Sequence, residues 1–271
     1  MRFWIVPCLA LIVGCASAPP PPPAAASTPP VARHRDPASR ILRRYAEAWR
    51  GAEEMRLREP VMIAFRIRGD GGGDYTVTLS TDGNATVQPG LAARFTFGFE
   101  TDIDTLRRLD RGELNALTAM GQTRAGDPTP LVPRFPPGFD PSSPQNRPFV
   151  LELWFHFWNR EWPETIRFGD GMTRGAHGGE AAVLYYGQGV RTAWYQIKPG
   201  AHLNADPADQ TNDFSTLFIV TRGSLKARLG GRERPLAEGE AVYIPAGMTH
   251  EFWTEAGDAA EAVILMFGDG A

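Results

Sequence analysis

Two histidines in the last third of the chain, His202 and His250, are the side chains best suited to chemistry, because several acidic residues follow the first of them. Imidazole and carboxylate groups form the iron, manganese and zinc sites of proteins, converging at about 2.0–2.2 Å from the metal. His202, Asp206 and His250 would make one such set of three donors, and Asp209 or Asp213 could replace Asp206. The alternative places His202 on a surface loop and leaves His250 without a chelating partner.

No nucleophile and base accompany these residues in a recognisable catalytic pattern. The other histidines, His34, His156 and His177, lie in unrelated segments, and both cysteines fall within the first 15 residues. The glycine-rich run at residues 69–73 precedes no predicted helix, so it predicts a hairpin turn and not a phosphate-binding loop.

The start of the chain resembles that of an exported bacterial lipoprotein. An apolar run at residues 3–13 is too short to span a bilayer and is typical of a signal peptide. It ends in Ile-Val-Gly-Cys15, which is similar to the lipobox and implies a signal peptide of residues 1–14 and a lipid on Cys15. Acyl chains would anchor the protein to a membrane, and Ala16 implies the outer membrane, facing the periplasm. An ordinary signal peptide cut near Ala16 or Ala18, or a retained anchor, is the alternative.

The segment around His250 resembles the second signature motif of the cupin family, whose fold is a small β-barrel. Gly239, Pro245, Gly247 and His250 carry this resemblance, which extends over about residues 180–268. Short apolar strands with glycine turns about every ten residues are consistent with such a jelly-roll-like barrel. In the family, a histidine at the position of His250 is one of the metal ligands.

The first cupin motif, which brings two histidines and a glutamate to the same metal, is largely missing. Counting back from Gly223 places Gln210 and Asn212 at the histidine positions and Thr216 at the glutamate position, and counting forward from Gly200 restores no ligand pair either. Neutral amides and a hydroxyl cannot offset a divalent charge in a low-dielectric site. The sequence therefore predicts no cofactor, with a divalent iron, manganese or zinc ion as the alternative.

Gln210, Asn212 and Thr216, together with Tyr243 and His250, predict a pocket that holds a small polar ligand through hydrogen bonds. Metal-free cupins also serve as dimerisation modules, so a homodimer through the barrel is expected. The alternative function is a cupin enzyme, metal-dependent and oxygenase- or isomerase-like, that acts on a small polar substrate with His250 as base or ligand.

Composition limits the remaining possibilities. The chain has 271 residues, 42% of them hydrophobic and 22% charged, which is typical of a globular protein of two domains of about 100 residues each. The formal charge is −3 and no basic stripe stands out, so nucleic acid is not an expected partner. Seven prolines within residues 19–30 predict an extended linker, residues 15–37, between the membrane anchor and the folded part.

Residues 38–130 carry the pattern of a helix, three antiparallel strands, a fourth strand and two short helices. An amphipathic helix is predicted from residue 36 to before Pro60, strands near residues 61–67, 75–79, 85–88 and 95–99, and helices at 102–109 and 113–120. This order, and above all the segment FETDIDTLRRLDRGELNALTAMGQTRAGD at residues 99–127, resembles the sterol carrier protein type 2 family. The resemblance implies an α/β sandwich that encloses a tunnel for sterols, fatty acids or acyl chains.

The apolar side chains of this domain are the predicted lining of the tunnel. The alternative is that they fill a solid core. They are Phe65, Ile67, Tyr75, Val77, Phe95, Phe97, Leu106, Leu117 and Met120.

Eight prolines within residues 128–148 predict a connector, residues 131–148, before a cupin domain of residues 149–271. The cupin domain would open with an aromatic helix whose Trp154, Trp158 and Trp162 share one face, as core or as a seam between domains. Together these features predict an α+β envelope lipoprotein that binds or carries a lipid-like apolar molecule.

Overall fold

The first nine elements of the chain build a five-stranded sheet with helices on it. They are α1 (Ala38–Trp49), β1 (Val61–Arg68), β2 (Gly73–Leu79), β3 (Ala85–Pro89), β4 (Phe97–Asp102), α2 (Ile103–Asp110), α3 (Ala116–Met120), β5 (Leu131–Arg134) and α4 (Arg147–Asn159). The sheet order is β3-β2-β1-β4-β5, in which β1 and β4 run parallel and all other neighbours run antiparallel. The computed structural model describes residues 36–49, 57–124, 126–141, 143, 146–160 and 165–271.

The amphipathic patterns of the sequence explain this layer arrangement. Ile63, Phe65 and Ile67 of β1 are buried in one core with the apolar faces of the helices, as alternation along the strand requires. The opposite face of the sheet carries Glu100, which pairs with Arg66 at 3.5 Å and with Arg134 at 3.0 Å. One face of the sheet is therefore covered by helices and the other is polar.

Helix boundaries follow their capping residues. The side chain of Asp102 accepts a hydrogen bond from Thr105 N at 2.7 Å and begins α2, close to the predicted start. Asn115 caps α3 through Thr118 N at 2.7 Å, so this helix begins at Ala116 and not at the predicted residue 113. The predicted first helix is present as α1, while its expected extension toward Pro60 falls largely outside the described residues.

Two segments near the predicted domain boundaries pack in the first sheet and its core. Residues 131–134, assigned to a connector, form β5 at the edge of the first sheet. Helix α4, assigned to the cupin domain, packs instead in the first core, where Trp158 contacts Phe99 with ring centroids 5.2 Å apart. The sheet needs this helix because without it the aromatic face of β1 and β4 would lie open to solvent. Trp162 and Cys15 lie outside the described residues.

The remaining strands form one curled sheet, a half-barrel. They are β6 (Arg174–Ala176), β7 (Gly179–Gly187), β8 (Val190–Ile197), β9 (His202–Leu203), β10 (Ser215–Leu229), β11 (Arg232–Ala237), β12 (Ala241–Ile244), β13 (His250–Trp253) and β14 (Ala260–Phe267). The main path runs β6-β7-β8-β14-β10-β13-β9, and β11 and β12 also pair with β10. Inward side chains of these strands form a second core.

The curl depends on one long strand that turns a corner. The first half of β10 pairs with β12 and β14, and its second half pairs with β11 and β13. The register shifts between Val220 and Arg222, and Gly223 follows with φ +75°. A Cβ atom at Gly223 would stand 2.1 Å from the carbonyl oxygen of Ala259, so only glycine fits this corner.

Helix α3 joins the two cores. The hydroxyl of Thr118 accepts a hydrogen bond from Val183 N of β7 at 2.7 Å. The guanidinium of Arg174 donates to the carbonyl oxygens of Thr118 at 3.0 Å, Gly121 at 2.6 Å and Pro128 at 3.2 Å. Carbonyls at the end of a helix have no partner within the helix, so this one side chain caps α3 from the curled sheet. Within the described residues no helix has the length and apolar character needed to cross a membrane.

Candidate functional site

A cavity of about 740 Å³ lies between the inner surface of the curled sheet and helices α3 and α4. Leu117 and Met120 of α3 and Trp154 of α4 form one wall. Inward residues of β8, β10, β13 and β14 form the other. The volume falls within the range of about 300–1,000 Å³ that small-molecule sites occupy.

Strand alternation decides which side chains of the curled sheet reach this cavity. On β13, His250 and Phe252 line it, while Glu251 and Trp253 face outward, where Trp253 packs against the ring of His202. On β8, Arg191, Ala193 and Tyr195 belong to the lining. The result is a mixed surface of aromatic rings and hydrogen-bonding groups.

His250 is a predicted site residue that lines the cavity and is buried, with 5% of its surface exposed. Its Nδ1 lies 3.0 Å from the carbonyl oxygen of Met248, which makes Nδ1 the protonated nitrogen and leaves Nε2 as an acceptor. The Nδ2 of Asn212 approaches Nε2 at 3.4 Å. Burial lowers the pKa of His250, as does the nearby His177, while the hydrogen bond to Met248 acts in the opposite direction. A neutral imidazole is therefore the favoured form.

The loop before β10 positions the other predicted polar residues. Gly247 N donates to the carbonyl oxygen of Asn212 at 2.8 Å, and His250 N donates to that of Gln210 at 2.8 Å. The side chains of Asn212 and Thr216 line the cavity, and Thr216 is 4% exposed. Gln210 contributes its carbonyl to this loop contact but is not among the lining residues.

Tyr243 was predicted in the pocket and lies outside it. Its side chain is 54% exposed, and its hydroxyl lies 3.0 Å from that of Ser215 on the outer face. The next residue, Ile244, is the inward one and pairs with Thr216. One step along a strand moves a side chain to the opposite face, which is why Ile244 and not Tyr243 reaches the cavity.

The three donors of the weak metal alternative, His202, Asp206 and His250, lie apart in the structure. Nε2 of His202 lies 3.0 Å from a carboxylate oxygen of Glu251 on the outer face, and Asp206 pairs with Arg124. Only His250 of the three lines the cavity. Among the described residues no group of three or more His, Cys, Asp or Glu side chains could hold a metal. One imidazole beside an amide and a hydroxyl is a poor donor set for a divalent ion, so no step through a metal is assigned here.

The predicted tunnel residues divide into two groups. Phe65, Ile67, Val77, Phe97 and Leu106 are buried in the first core, Tyr75 packs against that core, and Phe95 is half-buried. None of these seven is among the residues that line the cavity. Leu117 and Met120 do line it, so of the predicted tunnel residues only the two on helix α3 contribute to the cavity wall.

Several lining residues were not predicted from the sequence. Arg191 is the clearest case, and the inward alternation of residues 191, 193, 195 and 197 on β8 could have identified it. Another group lies at the margin of the cavity, where Arg124 pairs with Asp206 and Asp209, and His177 Nδ1 stands 3.3 Å from Asp209. No sequence pattern connects these residues, since Arg124 is 85 residues from Asp209 along the chain and His177 belongs to a third segment.

Residues 193–268 match the model of the cupin domain family. A curated relative, a D-lyxose/D-mannose isomerase of Escherichia coli O157:H7, is 39% identical over 54 residues, which are 20% of this chain and 23% of the relative. The match thus spans about a quarter of that protein's length.

Solved structures with a similar fold include a cupin 2 conserved barrel protein of Salinispora arenicola CNS-205. It is 18% identical, with a TM-score of 0.34, and the match covers 38% of this chain and 88% of that one. KdgF of a Halomonas species is 16% identical, with a TM-score of 0.30 over 34% of this chain and 82% of its own. A cupin-2 domain of Rhodospirillum rubrum is 16% identical, with a TM-score of 0.33 over 39% and 75%.

Proposed function

Starting from a cupin domain at residues 193–268, we propose that this protein binds a small amphipathic organic molecule in the cavity without the help of a metal. The observation that carries the proposal is the lining of the 740 Å³ cavity. Phe218, Phe252 and Trp154 supply apolar contact, and His250 and Asn212 supply hydrogen-bonding groups at one end. Such a combination of an apolar wall and a few polar groups is typical of small-molecule sites.

The prediction of a lipid-like ligand is kept here for only the apolar part of the ligand. We propose that the apolar part of the ligand lies along Leu117, Met120 and Trp154, and that its polar part lies toward the half-barrel. The packed aromatic core beneath α4 supports this arrangement over a long tunnel within residues 38–130, because Phe65, Phe99 and Trp158 already fill that space.

Replacing Met266 with tryptophan should abolish or weaken ligand binding at least about tenfold, because this side chain lines the cavity and the larger ring narrows it. The measurement is native mass spectrometry of the purified full-length protein, which reports co-purifying molecules and their stoichiometry. Leu265→Trp is the matched control, since the neighbouring residue on β14 is not part of the lining. The proposal fails if the parent carries no organic molecule, or if both variants retain it equally.

A metal-free enzyme is the second candidate, because the neutral Nε2 of His250 borders the cavity as a proton acceptor. Isomerisation of a small sugar would move a proton from C2 to the carbonyl carbon C1, while the proton of the C2 hydroxyl passes to the oxygen on C1. The relative named D-lyxose/D-mannose isomerase makes these sugars the first to test.

The expected result for this candidate is exchange of deuterium from heavy water into D-mannose or D-lyxose, lost in His250→Gln. His202→Gln is the control, since His202 pairs with Glu251 outside the cavity. Without exchange in the parent, observed by proton NMR over a day at millimolar protein, the enzyme candidate is rejected and the binding proposal stands.

The anchoring and assembly of the protein are further proposals. We propose a lipid on Cys15, attachment to the outer membrane facing the periplasm, and a homodimer through the half-barrel. Intact masses of protein extracted from membranes would report the lipid and the dimer, and an unmodified mature chain would contradict the anchor. No interaction with nucleic acid is proposed, in line with the charge of −3.

A further inference from the structure

Two polar side chains with unused hydrogen-bonding groups share one row of the curled sheet. Arg191 of β8 pairs with Met266 of β14, Met266 pairs with Thr216 of β10, and Thr216 pairs with Ile244 of β12. All four residues line the cavity. Adjacent strands lie about 4.8 Å apart, so the backbones at Arg191 and Thr216 are separated by about 10 Å.

The guanidinium of Arg191 is only partly satisfied by the described residues. Its Nη2 donates a hydrogen bond to the carbonyl oxygen of Gly270 at 2.9 Å. The guanidinium carbon stands 4.9 Å from the ring centroid of Tyr186 and 5.3 Å from that of Phe214, so two aromatic rings flank the cation. Its Nε is buried and has no acceptor among the described residues. A guanidinium has five N–H donors in a planar fork that matches a carboxylate, so most of its capacity is available to a ligand.

Thr216 presents the complementary case. Its Oγ1 is buried and has no hydrogen-bond partner among the described residues. Its neighbours in the row, Met266 and Ile244, have apolar side chains that do not form a hydrogen bond with it. A buried hydroxyl without a partner is unfavourable for folding, so a ligand group that donates to it or accepts from it would be favoured at this position.

The charges of the cavity lining favour an anion. The charged lining residues are Arg124, Arg174, Arg191 and Asp209. Arg124 pairs with Asp209, and Arg174 donates to backbone carbonyls. Arg174 and Arg191 therefore leave a net positive charge in the lining, and of the two it is Arg191 whose Nε lacks an acceptor among the described residues.

We propose that the ligand is a hydroxylated carboxylate, whose carboxylate lies against Arg191 and whose hydroxyl lies against Thr216. The inference rests on the proposed function, because it specifies the ligand of the same cavity. Between the two polar ends, the side chain of Met266 and the rings of Tyr186 and Phe214 contact an apolar body. The backbones of β8 and β10 are about 10 Å apart at these residues, and the long arginine side chain shortens the space left for the ligand. This space suits a molecule with one ring or a short chain.

Isothermal titration calorimetry of the full-length protein tests this with three probes: 4-hydroxybenzoate, its neutral methyl ester and benzoate. We expect the hydroxy acid to bind at least about tenfold more tightly than the ester. Arg191→Gln should remove this preference, and Arg191→Lys, which keeps the charge but not the fork, should retain part of it. Arg222→Gln is the matched control, since Arg222 is an exposed arginine that pairs with Glu261.

Thr216→Val tests the other end of the ligand. The variant has nearly the same shape and removes a hydroxyl without a partner, so we expect it to fold at least as well as the parent. It should weaken binding of 4-hydroxybenzoate about fivefold to tenfold and leave binding of benzoate unchanged.

Equal affinity for acid and ester in the parent would overturn the inference and leave the proposed cavity binding intact. An acid preference that survives in Arg191→Gln would overturn the role of Arg191. If neither acid nor ester binds at 10 mM (roughly the weakest affinity of interest), the inference is rejected. The proposed function is then decided separately by the molecule that co-purifies with the protein.

Discussion

Truncation of Phe65 to alanine is expected to lower the free energy of unfolding by about 3–5 kcal/mol. The side chain is fully buried, and its ring centroid lies 5.6 Å from that of Phe99, 6.0 Å from Phe157 and 5.9 Å from Trp158. Removing it leaves a cavity that its neighbours on strand β4 and helix α4 cannot close. Since natural domains are stable by about 5–15 kcal/mol, the loss is a large fraction of the total.

Denaturant unfolding followed by tryptophan fluorescence measures this effect, and Phe168→Ala provides the comparison. Phe168 is 48% exposed, so its removal should cost about 1 kcal/mol or less. The result also bears on the predicted lipid tunnel. If Phe65 lined an open tunnel, its truncation would only widen the tunnel, and a loss below about 1 kcal/mol would support that view against a packed core.

Replacement of Arg174 with alanine is expected to destabilise the protein by about 3 kcal/mol, since three backbone carbonyls lose a charged donor. Two of these carbonyls, of Thr118 and Gly121, lie at the end of α3, and the third belongs to Pro128. Arg174 is half-buried, and this burial lowers its pKa, so water can replace the lost hydrogen bonds only in part. The same denaturant experiment measures the change.

Arg174→Lys should fall between the parent and the alanine variant, because one ammonium cannot reach three carbonyls in the geometry of a planar guanidinium. Arg111→Ala is the matched control. Arg111 pairs with Glu113 at the surface, so a change of about 0.5 kcal/mol is expected. An equally small change for Arg174→Ala would show that α3 is held to the curled sheet by other contacts.

Much of the fold could be predicted because local patterns decide it. Ile63, Phe65 and Ile67 alternate toward the core, and Ile41 and Tyr45 share the buried face of α1, as expected from their spacing. The match of residues 193–268 to the cupin family agrees with the predicted C-terminal domain. The resemblance of residues 38–130 to sterol carrier proteins stays a prediction.

The rest depended on long-range geometry that no local pattern carries. Helix α4 is apolar on most sides, so its sequence does not reveal which of two cores it joins. The sequence does not specify the register of β12 against β10, so it cannot show whether Tyr243 or its neighbour faces the cavity. The sequence does not identify Arg191, because a charged residue on a strand is usually exposed to solvent. In the structure its guanidinium lies instead between the rings of Phe214 and Tyr186.

One wall of the cavity is formed by α3 and α4 and the other by the inward residues of the curled sheet. The size of the cavity therefore depends on how far these two helices stand from the sheet. Substitutions at the contacts between α3 and β7 would change that distance. A change in this spacing would admit ligands of a different size without a change in the strands of the half-barrel.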